Sequence, residues 1–266
     1  MHREQPIGIF DSGVGGMTAI KPVLDKLPNE GVIYIGDSLN MPYGNRPPEE
    51  FTKLAQVMVD FLEEKGVKAI LIACNTISSA IDRLKSNAPL LSIIQAGARA
   101  SLSLAPSSSI GVISTIATEN SGMYQRAIAS LRPDINVIVG SSQTLPKIID
   151  SQLDNRQELS KHIKYIIDPI LEQDSSVSKI ILGCSHFPII QNEIAELYPG
   201  IELIDPAVEL AEMLKESLEK SDLCAQERHQ YIHMNTTAET YEYAAAIKRL
   251  KLEIDSLIKV KLPNPL

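Results

Sequence analysis

The chain has 266 residues, of which 44% are hydrophobic and 22% are charged, a balance that excludes an intrinsically disordered protein. Its formal net charge is −8 and its basic residues are scattered, so nucleic acid is not expected as an obligate ligand. The sequence shows no apolar run of membrane-spanning length and no signal-peptide pattern at its start, and its three cysteines fit a reducing compartment. We therefore expect a cytoplasmic protein that does not bind membranes.

Short apolar runs rich in β-branched residues alternate along the chain with longer segments of helical period. This alternation is typical of α/β units, in which helices connect parallel strands. The eight predicted strands fall into two sets of four and cover residues 7–10, 32–35, 69–73, 90–94, 110–113, 135–139, 179–183 and 201–204.

The segment that follows Asp205-Pro206 is helical in composition, over residues 207–218 and again over 237–257, and it shows no strand signal. We expect this tail to pack on the first set of strands. The predicted first lobe is therefore residues 1–97 plus 207–266, the second lobe is residues 98–206, and the active site lies between them.

Two cysteines stand at matching places in the two sets of strands. When Cys74 is aligned with Cys184, the apolar run VKAILIA lies over VSKIILG. The first strands of the two sets also match, with Gly8-Ile9-Phe10-Asp11-Ser12 over Gly111-Val112-Ile113-Ser114-Thr115. The repeat predicts two similar lobes whose thiols face one shared substrate.

Polar groups follow four of the predicted strands, at the carboxyl ends where open parallel sheets bind ligands. A cysteine at such a strand-to-helix junction is expected to have a lowered pKa, because the helix N-terminus favours the thiolate. The alternative is that each thiol is a small buried core residue. The polar groups lie in Asp11–Gly16 after the first strand, in Gly36–Ser38 and then Pro42–Asn45 after the second, in Cys74–Thr76 after the third, and in Cys184–His186 after the counterpart of the third strand in the second set.

Other motifs bear on cofactors. The loop DSGVGG lacks the spacing of a dinucleotide or P-loop motif, although its glycines would let the backbone approach a small anion. Cys224, His229 and His233 supply too few ligands to form a metal site, and we expect them to lie at an exposed polar helix end.

His186 is two residues from Cys184, so it either pairs with that thiol or faces the substrate.

Six motifs in a fixed order resemble those of bacterial glutamate racemases, a cofactor-independent family that supplies D-glutamate for peptidoglycan. The order and spacing of the motifs are specific, although each alone is weak. They are FDSGVGG (10–16), GDS (36–38), PYGNR (42–46), ACNT (73–76), GCSHFP (183–188) and IDPA (204–207).

The resemblance implies an α/β fold of two similar lobes, with parallel-rich sheets flanked by helices and related by a pseudo-two-fold axis. It implies that Cys74 removes the α-proton of D-glutamate while Cys184 protonates the opposite face, that Asp11 and His186 assist as acid–base groups, and that no metal or cofactor is needed. A homodimer is also implied. The residues implied to hold substrate are Asp11, Ser12, Pro42, Tyr43, Gly44, Asn75, Thr76, Thr118, Ser185 and His186.

The chain departs from the family pattern at several positions. Ser38 and Ser185 replace common threonines, and Phe187 replaces a common tyrosine. The segment 90–98 replaces a stretch that usually contains Glu-Pro-Gly. Asp150 stands where a glutamate is expected, which argues against a role for it near the first cysteine.

Three other functions remain open from the sequence. An aspartate racemase would keep both thiols and change the pocket, and a cysteine hydrolase would use one thiol with His186. A binding protein descended from a racemase is the third, although both cysteines are present. The PYG loop and the histidine that follows the second cysteine favour glutamate.

Overall fold

The computed structural model describes residues 1–151 and 155–266, and its strands form two separate sheets. Gln152 is the last residue of the segment TLPKIIDSQ (144–152), in which Asp150 replaces the expected glutamate, and it lies outside the described residues. The strands are β1 (Ile7–Asp11), β2 (Val32–Gly36), β3 (Ala69–Ile72), β4 (Leu90–Ser92), β5 (Ser109–Ser114), β6 (Asn136–Ser141), β7 (Lys179–Gly183), β8 (Glu202–Ile204), β9 (Ile232–Thr236) and β10 (Ser256–Lys259).

Helices connect these strands and cover the faces of both sheets. Short 3-10 turns occur between them, and two of these, Gly15–Ala19 and Phe187–Ile190, belong to the site described below. The α-helices are α1 (Ile20–Lys26), α2 (Pro48–Glu64), α3 (Asn75–Ser78), α4 (Ile93–Arg99), α5 (Ile116–Ser121), α6 (Met123–Leu131), α7 (Leu145–Ser151), α8 (Arg156–Gln173), α9 (Gln191–Leu197), α10 (Pro206–Lys220) and α11 (Tyr241–Leu250).

The two sheets repeat one strand order. The first is β10-β9-β2-β1-β3-β4 and the second is β6-β5-β7-β8, so each contains its own strands in the order second, first, third, fourth. The pairings between neighbouring strands are parallel. The predicted fold class, α/β with parallel sheets flanked by helices, is therefore confirmed.

All eight predicted strands are present, but the prediction of a tail without strands is wrong. β9 pairs with β2 and β10 pairs with β9, which extends the first sheet by two strands. β9 was missed because its polar residues interrupt the apolar pattern of a buried strand. Asn235 is buried in β9, where its side-chain amide donates to the Tyr34 carbonyl at 3.0 Å. The predicted helix over 237–257 is only α11, which ends where Lys251 adopts a left-handed φ of 53°.

The tail packs on the first sheet. Leu210, Leu214 and Leu218 of α10 and Tyr243 of α11 belong to the core on one face of that sheet. Helix α4 lies between the two sheets, since Ile93 and Ala96 join this core while Ile94 and Ala98 join the core of the second sheet. The predicted lobe boundary after residue 97 falls inside α4, and the division into lobes stays a prediction.

A buried ion pair stands at the amino-terminal end of the first sheet. Lys68 Nζ lies 2.6 Å from Glu30 Oε2, and the two side chains are 0% and 2% exposed. The lysine also donates to the Leu223 carbonyl at 2.9 Å, and Glu30 Oε1 accepts from the Ala225 amide at 2.9 Å. The pair therefore connects β3, the turn before β2 and the loop that follows α10.

The helices of residues 1–151 and 155–266 include none that is both long enough and apolar enough to cross a bilayer. Within the same residues, no three His, Cys, Asp or Glu side chains cluster as a metal site. His229 and His233 do not share a helix end as predicted: His229 lies in a loop, with its Nε2 3.0 Å from Glu4 Oε2, and His233 lies in β9.

Candidate active site

Loops from the carboxyl ends of both sheets surround one cavity of about 80 Å³. This is the arrangement that the repeat predicts, because equivalent strands of the two sheets present their carboxyl ends to each other. The cavity is lined by Ser12, Met41, Pro42, Tyr43, Gly44, Cys74, Asn75, Thr76, Thr115, Gln143, Pro146, Lys147, Asp150, Cys184, Ser185 and His186.

Cys74 follows β3 and occupies the N-cap position of the four-residue helix α3, without a side-chain capping hydrogen bond. Its sulfur is 3.5 Å from Ser12 Oγ, and the residue is 5% exposed. Burial, together with the nearby Asp11 carboxylate, raises the pKa of the thiol to about 12. The sequence-based expectation of a lowered pKa is therefore wrong for Cys74, because burial outweighs the short helix.

Cys184 occupies the equivalent place after β7 and is 6% exposed. Its sulfur lies 3.7 Å from Nδ1 of His186, so the structure pairs this histidine with the second thiol. The 3-10 turn Gly15–Ala19, which follows β1, packs closely against this segment at Gly15. A Cβ there would lie 2.5 Å from Ser185 Oγ and 2.8 Å from His186 Nδ1, which explains the need for glycine.

His186 also faces a carboxylate, since its Nε2 lies 3.2 Å from Asp150 Oδ1. Burial by itself lowers the pKa of the imidazole, but the charge of Asp150 and the contact with Cys184 outweigh it and raise the pKa well above its usual value. The structure thus places Asp150, in α7, beside the histidine of the second thiol. The shorter acid still reaches the imidazole.

Asp11 is fully buried behind the cavity wall, where its Oδ1 accepts a hydrogen bond from the Gly13 amide at 2.8 Å. Its Oδ2 has no hydrogen-bond partner among the described residues. Burial raises the pKa of this carboxyl despite the opposing effect of His186. A Cβ on Gly16 would lie 2.4 Å from the Asp11 Cβ, so a second glycine makes room for this side chain.

The Pro42-Tyr43-Gly44 segment forms one side of the cavity. The Tyr43 hydroxyl donates to Asp37 Oδ2 at 2.5 Å, and Asp37 also accepts from Thr237 Oγ1 at 2.7 Å. Thr237 directly follows β9, so the unpredicted strand positions a residue that supports this loop. The tail is therefore part of the structure that shapes the site.

Asn75 presents a donor to the cavity. Its Oδ1 accepts from the Tyr124 hydroxyl at 2.8 Å, while its buried Nδ2 has no partner among the residues described. A ligand carboxylate would satisfy that amide group. The Thr76 hydroxyl lies 3.5 Å from Thr115 Oγ1, which brings together polar groups from the two sheets.

Thr118 does not line the cavity. It is 1% exposed, and its hydroxyl lies 3.1 Å from that of Thr115, which does line it. Thr115 was missed, although the repeat aligns it with Ser12, and that alignment was the signal for it. No comparable signal pointed to the other unpredicted lining residues, which are Met41, Gln143, Pro146 and Lys147.

Replacing Asp150 with asparagine is expected to lower turnover roughly 10- to 100-fold, less than the roughly 10²- to 10⁴-fold contribution of a general acid–base group, because Asp150 acts through His186. Without the carboxylate, burial dominates and the pKa of His186 falls, so the alkaline limb of the pH–rate profile moves to lower pH. A pH profile of Asp150→Asn against wild type measures both effects. An Asp150→Asn profile identical to that of wild type would contradict the effect of Asp150 on the pKa of His186. Asp150→Glu, which keeps the carboxylate, is the matched control.

Comparisons with known proteins agree with the two-sheet α/β fold. A family model described as Asp/Glu/Hydantoin racemase matches residues 12–214. The glutamate racemase of Lactobacillus helveticus is 39% identical over 212 residues, 78% of each chain. A glutamate racemase isoform from Bacillus anthracis has a TM-score of 0.91 at 30% identity, over 98% of this chain and 99% of that one. The structure of the Francisella tularensis glutamate racemase in complex with D-glutamate has a TM-score of 0.88 at 31% identity. That match covers 97% of this chain and 98% of the other.

Proposed function

Because the chain belongs to the Asp/Glu/hydantoin racemase family and is thus an isomerase, we propose that it interconverts L- and D-glutamate with two cysteines and no cofactor. The observation that carries the proposal is the placement of Cys74 and Cys184 on one cavity, each from the equivalent strand end of a different sheet. A racemase needs a base on one face of the α-carbon and an acid on the other. A hydrolase or a plain binding site would need only one thiol or neither.

In the proposed reaction one cysteine is a thiolate and the other is a thiol. The thiolate removes the α-proton, and the bonding electrons remain on the α-carbon as a carbanion. The opposite thiol then donates its proton to the other face and becomes the thiolate. With D-glutamate the base is Cys74 and the acid is Cys184, and with L-glutamate the roles reverse; the next substrate of the same hand requires proton exchange with solvent.

The site needs help to ionise Cys74, because burial and the Asp11 carboxylate raise the pKa of its thiol. The substrate ammonium supplies a positive charge that favours the thiolate. On the other side, Asp150 raises the pKa of His186, whose Nδ1 lies 3.7 Å from the Cys184 sulfur and can donate to it while that sulfur carries the charge. The unpartnered amide of Asn75 is available to hold a substrate carboxylate, whose negative charge grows as the carbanion forms.

Glutamate is preferred over aspartate as the proposed substrate because the three relatives described above, at 30–39% identity, are named glutamate racemases, one of them in complex with D-glutamate. We extend the proposal to the supply of D-glutamate for peptidoglycan, in the cytoplasm, by a homodimer. Those cellular and assembly properties rest on the family resemblance.

Circular dichroism tests the proposal directly. The purified protein, without added cofactor, is given L-glutamate, D-glutamate or either enantiomer of aspartate. We expect the circular dichroism signal of both glutamate enantiomers to decay to zero, at a rate well above that with aspartate. Activity with aspartate alone would replace glutamate by aspartate as the substrate, and no change with either amino acid would support the binding-protein alternative.

A further inference from the structure

The last helix of the chain reaches the loop that contains the second thiol. Arg249 of α11 donates from Nε and Nη2 to the Ile189 carbonyl at 3.2 and 3.0 Å, and its Nη2 lies 2.7 Å from Glu193 Oε1. These side chains are partly covered, at 35% exposed for Arg249 and 21% for Glu193. Since α11 packs on the first sheet through Tyr243, this contact joins the two sheets.

Ile189 belongs to the 3-10 turn Phe187–Ile190, which begins directly after Cys184-Ser185-His186. At the start of the same segment, the Thr18 hydroxyl contacts the Ser185 carbonyl at 3.3 Å. The loop is therefore held at both ends by groups that belong to the first sheet and its helices. Thr18 lies beside the glycine loop, whereas Arg249 comes from the tail.

We propose that Arg249 is a positioning residue that fixes Cys184 and His186 against the substrate through the Ile189 carbonyl. The inference rests on the proposed function, because positioning has a meaning only if these groups transfer protons. Arg249 lies beyond residues 12–214, the part of the chain that the family model matches. A planar guanidinium suits this place, since two of its N–H groups reach one carbonyl while a third interaction pairs it with Glu193.

The proposal has a kinetic signature that a purely structural role lacks. Enantiomers have equal free energies, so any variant must keep equal kcat/KM values in the two directions. If Arg249 acts only on the Cys184 side, its loss slows proton removal from L-glutamate, where Cys184 is the base. The isotope effect of α-deuterium then rises with L-glutamate and falls with D-glutamate, where Cys74 removes the proton and donation by Cys184 becomes limiting.

The test compares Arg249→Met with Lys248→Met, a matched control that removes the same charge from the neighbouring, exposed position of α11. We expect Arg249→Met to lower kcat roughly 10-fold, because a small displacement of a reacting group is costly. The two α-deuterium isotope effects should move in opposite directions. Glu193→Gln keeps the bonds to Ile189 and should give a smaller change of the same sign, while Lys248→Met should match wild type.

Equal changes in both isotope effects, or none, in a folded and active Arg249→Met protein would overturn the positioning role. The same conclusion would follow if Lys248→Met gave the same asymmetry. A wild-type protein without α-proton exchange on either enantiomer would instead overturn the proposed function, so the two failures are distinguishable.

Discussion

Serine in place of either Cys74 or Cys184 is expected to lower the rate of glutamate racemisation by roughly 10²- to 10⁴-fold, the contribution of a general acid or base. A serine hydroxyl is too weak an acid to alternate between base and proton donor at neutral pH. Each variant keeps one thiol, so it should still exchange the α-proton of one enantiomer with solvent. Cys184→Ser should exchange only D-glutamate, and Cys74→Ser only L-glutamate.

Cys224 is the matched control for these variants, because it is the third free cysteine and does not line the cavity. Cys224→Ser should racemise glutamate at the wild-type rate. Circular dichroism follows racemisation, and proton NMR in D2O follows exchange at the α-carbon of each enantiomer. Substantial racemisation by either Cys74→Ser or Cys184→Ser would show that one thiol serves both faces.

Lys68→Met is expected to lower the free energy of unfolding by about 3–5 kcal/mol. The substitution removes the ammonium that lies 2.6 Å from Glu30 Oε2 and leaves a carboxylate that is 2% exposed without its counter-charge. It also takes a donor from the Leu223 carbonyl, which loosens the loop after α10. Urea denaturation followed by far-UV circular dichroism measures the difference.

Lys21→Met provides the comparison, because Lys21 and Asp25 form an i,i+4 pair in which the side chains are 65% and 61% exposed. An exposed pair of this kind contributes about 0.3–0.5 kcal/mol. A loss in Lys68→Met no larger than that in Lys21→Met would mean that water reaches Glu30 and that the ion pair is not a structural requirement.

The repeated half of the fold was predictable from the sequence. Strands buried on both faces require continuous apolar runs, so β1 to β8 were recognisable as short segments of valine, isoleucine and leucine. The alignment of Cys74 with Cys184 then placed both thiols at equivalent strand ends. Because open parallel sheets bind ligands at the carboxyl ends of their strands, the loops after β1, β2, β3 and β7 were predicted to contribute to one site, and residues from all four loops line the cavity.

The rest depended on tertiary contacts that leave no periodic pattern. β9 contains His233 and Asn235, and Asn235 is tolerated only because a neighbouring strand supplies an acceptor. The pKa of Cys74 reflects burial and Asp11, neither of which local spacing reveals. The contact between Asp150 and His186 joins residues that are distant in the chain. The sequence therefore did not reveal that an aspartate in place of the family glutamate reaches the imidazole.

The most direct test of the two-thiol mechanism is a single turnover of L-glutamate and of D-glutamate in D2O, analysed by proton NMR for the label at the α-carbon. With separate groups on the two faces, the product of either direction carries deuterium at that carbon from its first appearance. The unreacted substrate keeps its proton early in the reaction. Product that retains the original α-proton would contradict the account, because a single group would then have removed and returned the same proton.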